Sequence, residues 1–204
     1  MKFTLPLAAA TCIAVAVFAV PPSVNRPGPL LHEPRVPTSL NPSAPEPPTT
    51  LVVAGDRAPD FGWQAESARW LRLRDLRAQG HVLLVFDPDE NRLAALERER
   101  PRLLDLGVVP AAVLGRRSGS AWSLARRLQL HLTVIPDPTR AIAGQFNVLD
   151  PVTQRAVPSW FVVDRAGRVR ALDRSGLPER GYVQLVSVAL AIPAPGVALP
   201  SAKH

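Results

Sequence analysis

The feature that most limits the fold is the run His81-Val82-Leu83-Leu84-Val85-Phe86, which closes abruptly at Asp87-Pro88-Asp89. A stretch with no alternating polar face does not suit a sheet that is wet on one side. It reads as a strand covered on both sides, the middle of an α/β sheet. The neighbouring segments supply the cover. Residues 89–106 carry Leu93, Leu96, Leu103 and Leu104 among charges, a helical face with a kink expected at Pro101. Residues 108–114 form a second strand-like run. Ser118 or Ser120 is placed to cap a helix with Ala121, Leu124, Ala125 and Leu128 on one side. Residues 132–135 read as a short strand and 139–147 as a helix. Residues 160–163 and 169–172 flank Asp164-Arg165-Ala166-Gly167, a hairpin pattern with glycine in the turn. Residues 178–192 close the domain as a helix with Tyr182, Leu185, Val186, Ala189 and Leu190 inward. The order βαβαβαββα specifies an α/β domain with a mixed sheet flanked by helices.

The N-terminal quarter has a different character. Lys2 precedes residues 3–20, which are apolar apart from Thr4, Thr11 and Cys12. One positive charge before a short apolar run is the pattern of a secretory signal, with small-residue cleavage sites at Ala14-Val15-Ala16 and Val17-Phe18-Ala19. An uncleaved anchor is the second reading, although eighteen helical residues span only about 27 Å and Pro6 interrupts them. A lipid-modified Cys12 is the third. With Lys2 held on the cytoplasmic side, the domain faces outward in the first two cases. Residues 21–50 hold ten prolines and no aromatics, so they read as an extended, disordered linker. The organisation is therefore a signal or anchor at 1–20, a linker at 21–50, a folded domain at 51–194 and a flexible tail at 195–204.

Sulfur usage restricts the chemistry. The chain has one cysteine, Cys12, and one methionine, Met1. The folded part thus lacks a thiol, which excludes internal disulfides, cysteine zinc sites, iron–sulfur clusters and thiol nucleophiles within it.

Five short motifs then resemble one family in the right order. Gly55-Asp56-Arg57-Ala58-Pro59-Asp60-Phe61 resembles the G-D-x-A-P-D-F opening of the AhpC/TSA peroxiredoxins and related redoxins. Leu73-Arg74-Asp75-Leu76-Arg77 resembles their L-x-D-L-R/K segment, and residues 82–86 their central strand. Asp137-Pro138-Thr139-Arg140, Ala143 and Phe146-Asn147-Val148 resemble a D-x-x-x-x-x-A-x-x-Y/F-x-V segment. Residues 161–169 resemble F-V-I-D-x-x-G-x-V. The resemblance implies a thioredoxin-like fold.

The family's chemistry does not follow. Peroxiredoxins place P-x-x-x-T-x-x-C after the central strand, and in that frame the threonine position is Arg92 and the cysteine position is Ala95. In the C-x-x-C frame of thioredoxins and TlpA-like reductases, the cysteine positions are Asn91 and Ala94. The family arginine position holds Pro158. Val157-Pro158-Ser159 instead resembles the cis-proline of the thioredoxin branch, so a cis Val157-Pro158 bond facing residues 91–95 is expected. Peroxide reduction needs a sulfur that becomes a sulfenic acid and returns, and disulfide exchange needs a thiolate and a leaving sulfur. Alanine and asparagine supply neither. No catalytic residue and no cofactor is expected, and the candidate binding face is Asp87, Pro88, Asp89, Arg92, Val157 and Pro158.

Competing chemistries are weaker. A hydrophobic strand ending in Asp87-Pro88-Asp89 resembles the D-x-D of haloacid-dehalogenase-type phosphatases, with Asp87 as nucleophile and Asp89 as acid/base. The motif wants Thr or Val where this chain has Asn91, its later acidic pair is missing, and Asp89 reads as a helix cap. Gly115-Arg116-Arg117-Ser118-Gly119 lacks the P-loop lysine. His81 and His131 are isolated, so no metal site is expected. Trp63, Trp70, Trp122 and Trp160 are too dispersed for a stacking platform and mostly suit a core. The formal charge of +7 is nearly all arginine. Sign-alternating Glu97-Arg98-Glu99-Arg100 is a solvated helix face, and nucleic acid is not an expected partner. The expected role is an extracytoplasmic, non-catalytic domain that acts by binding or scaffolding with an envelope protein, touching the membrane only through residues 3–20 if these stay uncleaved. The alternatives are residual antioxidant activity through a partner's thiols, or the phosphatase.

Overall fold

The computed structural model describes residues 51–192. The expectations for the leader, the linker and the tail lie outside these residues. Among the described residues, no helix is long and apolar enough to cross a membrane.

The sheet is built around β3 (His81–Phe86). Parallel β4 (Val108–Leu114) lies on one side of it, followed by parallel β5 (Thr133–Pro136). Antiparallel β6 (Ser159–Val163) lies on the other side, followed by antiparallel β7 (Val169–Asp173). The order is therefore β5-β4-β3-β6-β7. Val82 to Phe86 are fully buried. Alternation along the strand explains the continuous apolar run. Val82, Leu84 and Phe86 face one core, while Leu83 and Val85 face the other.

The second core is closed by α2 (Glu90–Asp105), α3 (Ser118–Arg127) and α5 (Tyr182–Leu190). The first is closed by α1 (Leu73–Arg77), α4 (Ala141–Gln145) and the hairpin of β1 (Gly62–Gln64) and β2 (Trp70–Arg72). β1, β2 and α1 are absent from the sequence reading, because three-residue strands and a five-residue helix carry too little periodicity to register. Helix 139–147 shortens to α4, and helix 178–192 shortens to α5. Pro101 lies within a continuous α2. Neither Ser118 nor Ser120 caps α3: Arg117 occupies the cap position and makes no side-chain cap bond. Trp63 is buried as expected of the tryptophans, but Trp70 is 71% exposed because its β2 position points away from the core.

The quoted motifs meet in space. In the first, Gly55 N–H donates to the Val169 carbonyl at 2.7 Å and Ala58 N–H to the Gly167 carbonyl at 2.8 Å, while Val169 N–H returns a bond to Asp56 at 2.9 Å. The opening segment is thus sewn to the β6–β7 turn, where Gly167 adopts φ +84°. In the fourth motif, the buried Asp137 carboxylate accepts N–H bonds from Ile142 at 3.3 Å and Ala143 at 2.9 Å, capping α4 from a distance. Burial pushes its carboxyl above the ordinary range despite those donors. Phe146 follows, with ring centroids 5.0 Å from Phe161, 5.2 Å from Phe86 and 5.9 Å from Phe61. Asn147 Oδ1 accepts the Val52 N–H at 3.0 Å.

Two glutamates of α2 hold that helix to its neighbours. Glu97 accepts the N–H groups of His131 at 2.8 Å and Leu132 at 2.9 Å, and Arg100 Nε at 2.9 Å. Burial pulls the Glu97 carboxyl upward, but these donors outweigh it and hold it below the ordinary range. Glu99 accepts Gly181 N–H at 2.7 Å and Val183 N–H at 2.8 Å, so a carboxylate of α2 caps α5.

Two outcomes follow for stability. Phe146→Ala empties the centre of the aromatic cluster and should cost about 3–5 kcal/mol in chemical denaturation. Glu97→Gln should cost about 1–3 kcal/mol at pH 7. The ionised Glu97 contributes stability above the usual glutamate pKa and loses it as pH falls through its lowered folded value. The gap between wild type and variant should therefore persist through the ordinary glutamate range and close only at lower pH in paired urea titrations.

Candidate functional site

The end of β3 is where the chain must leave a dry strand and start α2. Asp87 makes the exit with φ +44°, uncommon for a non-glycine residue, and its N–H still donates to the Val113 carbonyl at 2.8 Å. Pro88 is buried. Asp89 is the N-cap of α2: its side chain accepts Arg92 N–H at 2.9 Å. The Arg92 guanidinium turns back onto the same carboxylate, and its Nε donates to the Leu177 carbonyl at 3.3 Å. Both oxygens of Asp89 are thereby occupied, as the helix-cap reading requires.

The family's reactive positions follow on this first stretch of α2. Asn91 is exposed and Ala94 half-buried, and both line a cavity of about 630 Å³. Ala95 is 1% exposed and packs into the second core with Leu93 and Leu96. Asp89, Arg92 and Arg98 of α2 also line the cavity, and the other wall is formed by Glu179 and Arg180. The 179–181 segment is fixed there by the Glu99 cap on α5. Beneath it, Tyr182 is fully buried and donates its hydroxyl to the Pro178 carbonyl at 3.1 Å. Burial pushes its phenol up to about 12, so it stays neutral.

The remaining expected residues lie at the same end of the sheet without lining this cavity. Phe86 pairs with Ser159, which brings Val157 and Pro158 to the end of β3. The Val157-Pro158 bond is trans, since no described peptide bond is cis. This corrects the expected cis geometry. The segment arrives extended, with Ala156 bridged to Leu149 and Val157 N–H bonded to the Val148 carbonyl at 2.7 Å. That approach suits the ordinary trans preference. Asp87 turns toward the ends of β4 and β5: a Cβ placed on Gly115 would meet its Oδ1 at 3.9 Å and Arg140 Nε at 3.6 Å. The two aspartates of the D-x-D therefore serve different partners. Among the described residues, no group of three His, Cys, Asp or Glu gathers to hold a metal.

Arg98, Glu179 and Arg180 are absent from the binding face expected from the sequence. Arg98 was accessible from it, because residues 91, 94 and 98 share one helical face at i, i+3 and i+7. Glu179 and Arg180 reach the site only through tertiary packing.

The comparisons with known proteins agree with this fold. The AhpC/TSA family model matches residues 54–172. The peroxidoxin BcpB from Mycobacterium tuberculosis superimposes with a TM-score of 0.61 at 17% identity, covering 69% of this chain and 97% of that one. Enterococcus faecalis AhpC gives 0.60 at 16% identity, covering 73% and 99%. A putative thiol:disulfide interchange protein DsbE from Chlorobium tepidum gives 0.57 at 21%, covering 68% and 99%. These likenesses establish the thioredoxin-like fold. A protein named imidazolonepropionase from Anaeromyxobacter dehalogenans (strain 2CP-C) is 32% identical over 135 residues, 64% of this chain. The chain spans only about a third of that relative, 31% of its length.

The cap at Asp89 is open to test. Asp89→Ala should lower stability by about 0.5–2 kcal/mol in thermal denaturation, whereas Asp89→Asn, which also caps, should recover most of the loss.

Proposed function

The chain belongs to the AhpC/TSA family, and we propose that it is a member that works by binding a partner rather than by thiol chemistry. The observation that carries this reading is the identity of Asn91, Ala94 and Ala95 at the start of α2. Peroxide reduction oxidises a thiolate to a sulfenic acid, and disulfide exchange passes through a mixed disulfide. Neither step has an atom to start from at these positions, and Ala95 is closed off in the core. What the location retains is a fixed, open, polar groove, which suits recognition. The exported placement rests on Lys2, the apolar residues 3–20 and the proline-rich 21–50. In this reading the domain stands outside the cytoplasmic membrane, tethered or released, and its partner is an envelope protein.

The D-x-D phosphatase is the poorer reading, because Asp89 is spent on Arg92 and on the start of α2. The imidazolonepropionase name stays with that relative, most of whose length lies outside the match.

Purified full-length protein, supplied with hydrogen peroxide and dithiothreitol, or with insulin and dithiothreitol, should give rates equal to the protein-free blank. Turnover above the blank, in proportion to protein, would remove the binding-only reading.

A further inference from the structure

We infer that the groove between α2 and the 177–181 segment takes an acidic stretch of the partner polypeptide, held by Arg98 and Arg180; this rests on the binding role proposed above. Most charges around the groove are already paired. Asp89 and Arg92 satisfy one another, and Arg92 also donates to the Leu177 carbonyl. Glu90 is taken by Arg127 from α3. Glu99 is taken by the two N–H groups at the start of α5. The ionised groups left facing the cavity are Arg98, Arg180 and Glu179. Among the described residues, neither Arg98 nor Arg180 forms an ion pair.

The walls are held in place. Arg98 stands one turn beyond Ala94 on α2, and Arg180 precedes Gly181, whose N–H is fixed by Glu99. The floor between them is short: Ala94 and Asn91 leave the cavity of about 630 Å³ open. That is room for a few residues of extended chain. An apolar side chain gains little there, because most of the lining is charged or amide. A carboxylate gains a planar fork of N–H donors from each guanidinium. Glu179 repels a carboxylate at its own rim, which confines the acidic residue to the Arg98–Arg180 side and gives the contact a register.

The test uses the full-length protein and two labelled heptapeptides, one Glu-rich and its Gln counterpart, titrated by fluorescence anisotropy at low and moderate salt. The Glu peptide should bind roughly tenfold tighter than the Gln peptide, and the difference should shrink as salt rises. Arg98→Ala and Arg180→Ala should each weaken the Glu peptide by roughly three- to tenfold, and Glu179→Gln should tighten it. Arg165→Ala removes an equal charge from the β6–β7 turn at the opposite end of the sheet and should leave binding unchanged. All four side chains lie at the surface, so matched thermal melts confirm folding. Equal binding of the two peptides, or an equal loss in Arg165→Ala, overturns the acidic preference. Ala94→Trp, which fills the groove, separates the two levels of the claim. If it abolishes binding of a Gln peptide that binds as well as the Glu peptide, the groove stands as a binding site and the acidic preference falls. If it leaves both peptides unaffected, both claims fall.

Discussion

A strand buried on both faces offers no room for polar groups along its length, so polar groups collect where it ends. β3 is that strand, with Val82 to Phe86 fully enclosed between the two cores. Its enclosure dictates the rest. The layers on either side must be continuous, which requires α2, α3 and α5 on one face and α1, α4 and the hairpin on the other. The chain also has to turn sharply at Asp87 to enter α2. The unsatisfied N–H groups at the start of that helix then need an acceptor, and Asp89 supplies one. The groove is a consequence of this geometry. It is the space left beside a helix that starts directly after the central strand.

The position of α2 is set by its own acidic residues as much as by its apolar face. Glu97 reaches toward the segment entering β5, and Glu99 reaches the start of α5. Charge-assisted bonds to backbone N–H groups are directional, so they fix the rotation of the helix and not merely its contact with the sheet. This placement has a chemical consequence. The rotation that buries Leu93, Ala95 and Leu96 presents Asn91, Ala94 and Arg98 to the groove. One turn thus distributes the family's reactive positions between a wall that a partner can touch and a core that it cannot.

Much of the fold was legible in residue order. The βαβαβαββα succession from β3 to α5 follows from apolar runs and turn residues that act locally, and the family motifs coincide with contacts that close the domain. What escaped was long-range or too short. The β1–β2 hairpin and α1 are held by the core they cover, through Trp63, Leu73 and Leu76, more than by their own propensities. The Ser118 and Ser120 cap failed because a good capping residue must also sit at the boundary, and Arg117 does. The proline before β6 looked like a cis turn, yet a backbone pair between Leu149 and Ala156 delivers it extended. At the site, Asp89 as a cap and Arg98 as a lining residue follow helix rules. Glu179 and Arg180 depend on a glutamate eighty residues away in sequence, Glu99, which no local pattern reveals.

The central claim is that the α2 groove is where this protein meets its partner. Site-specific photo-crosslinking in the living source cell tests it most directly, with the crosslinker at Ala94 in one strain and at Leu104, exposed on the last turn of α2, in another. Position 94 should give a discrete protein adduct and position 104 none. Adducts from position 104 alone, or the same adducts from both, would contradict the claim.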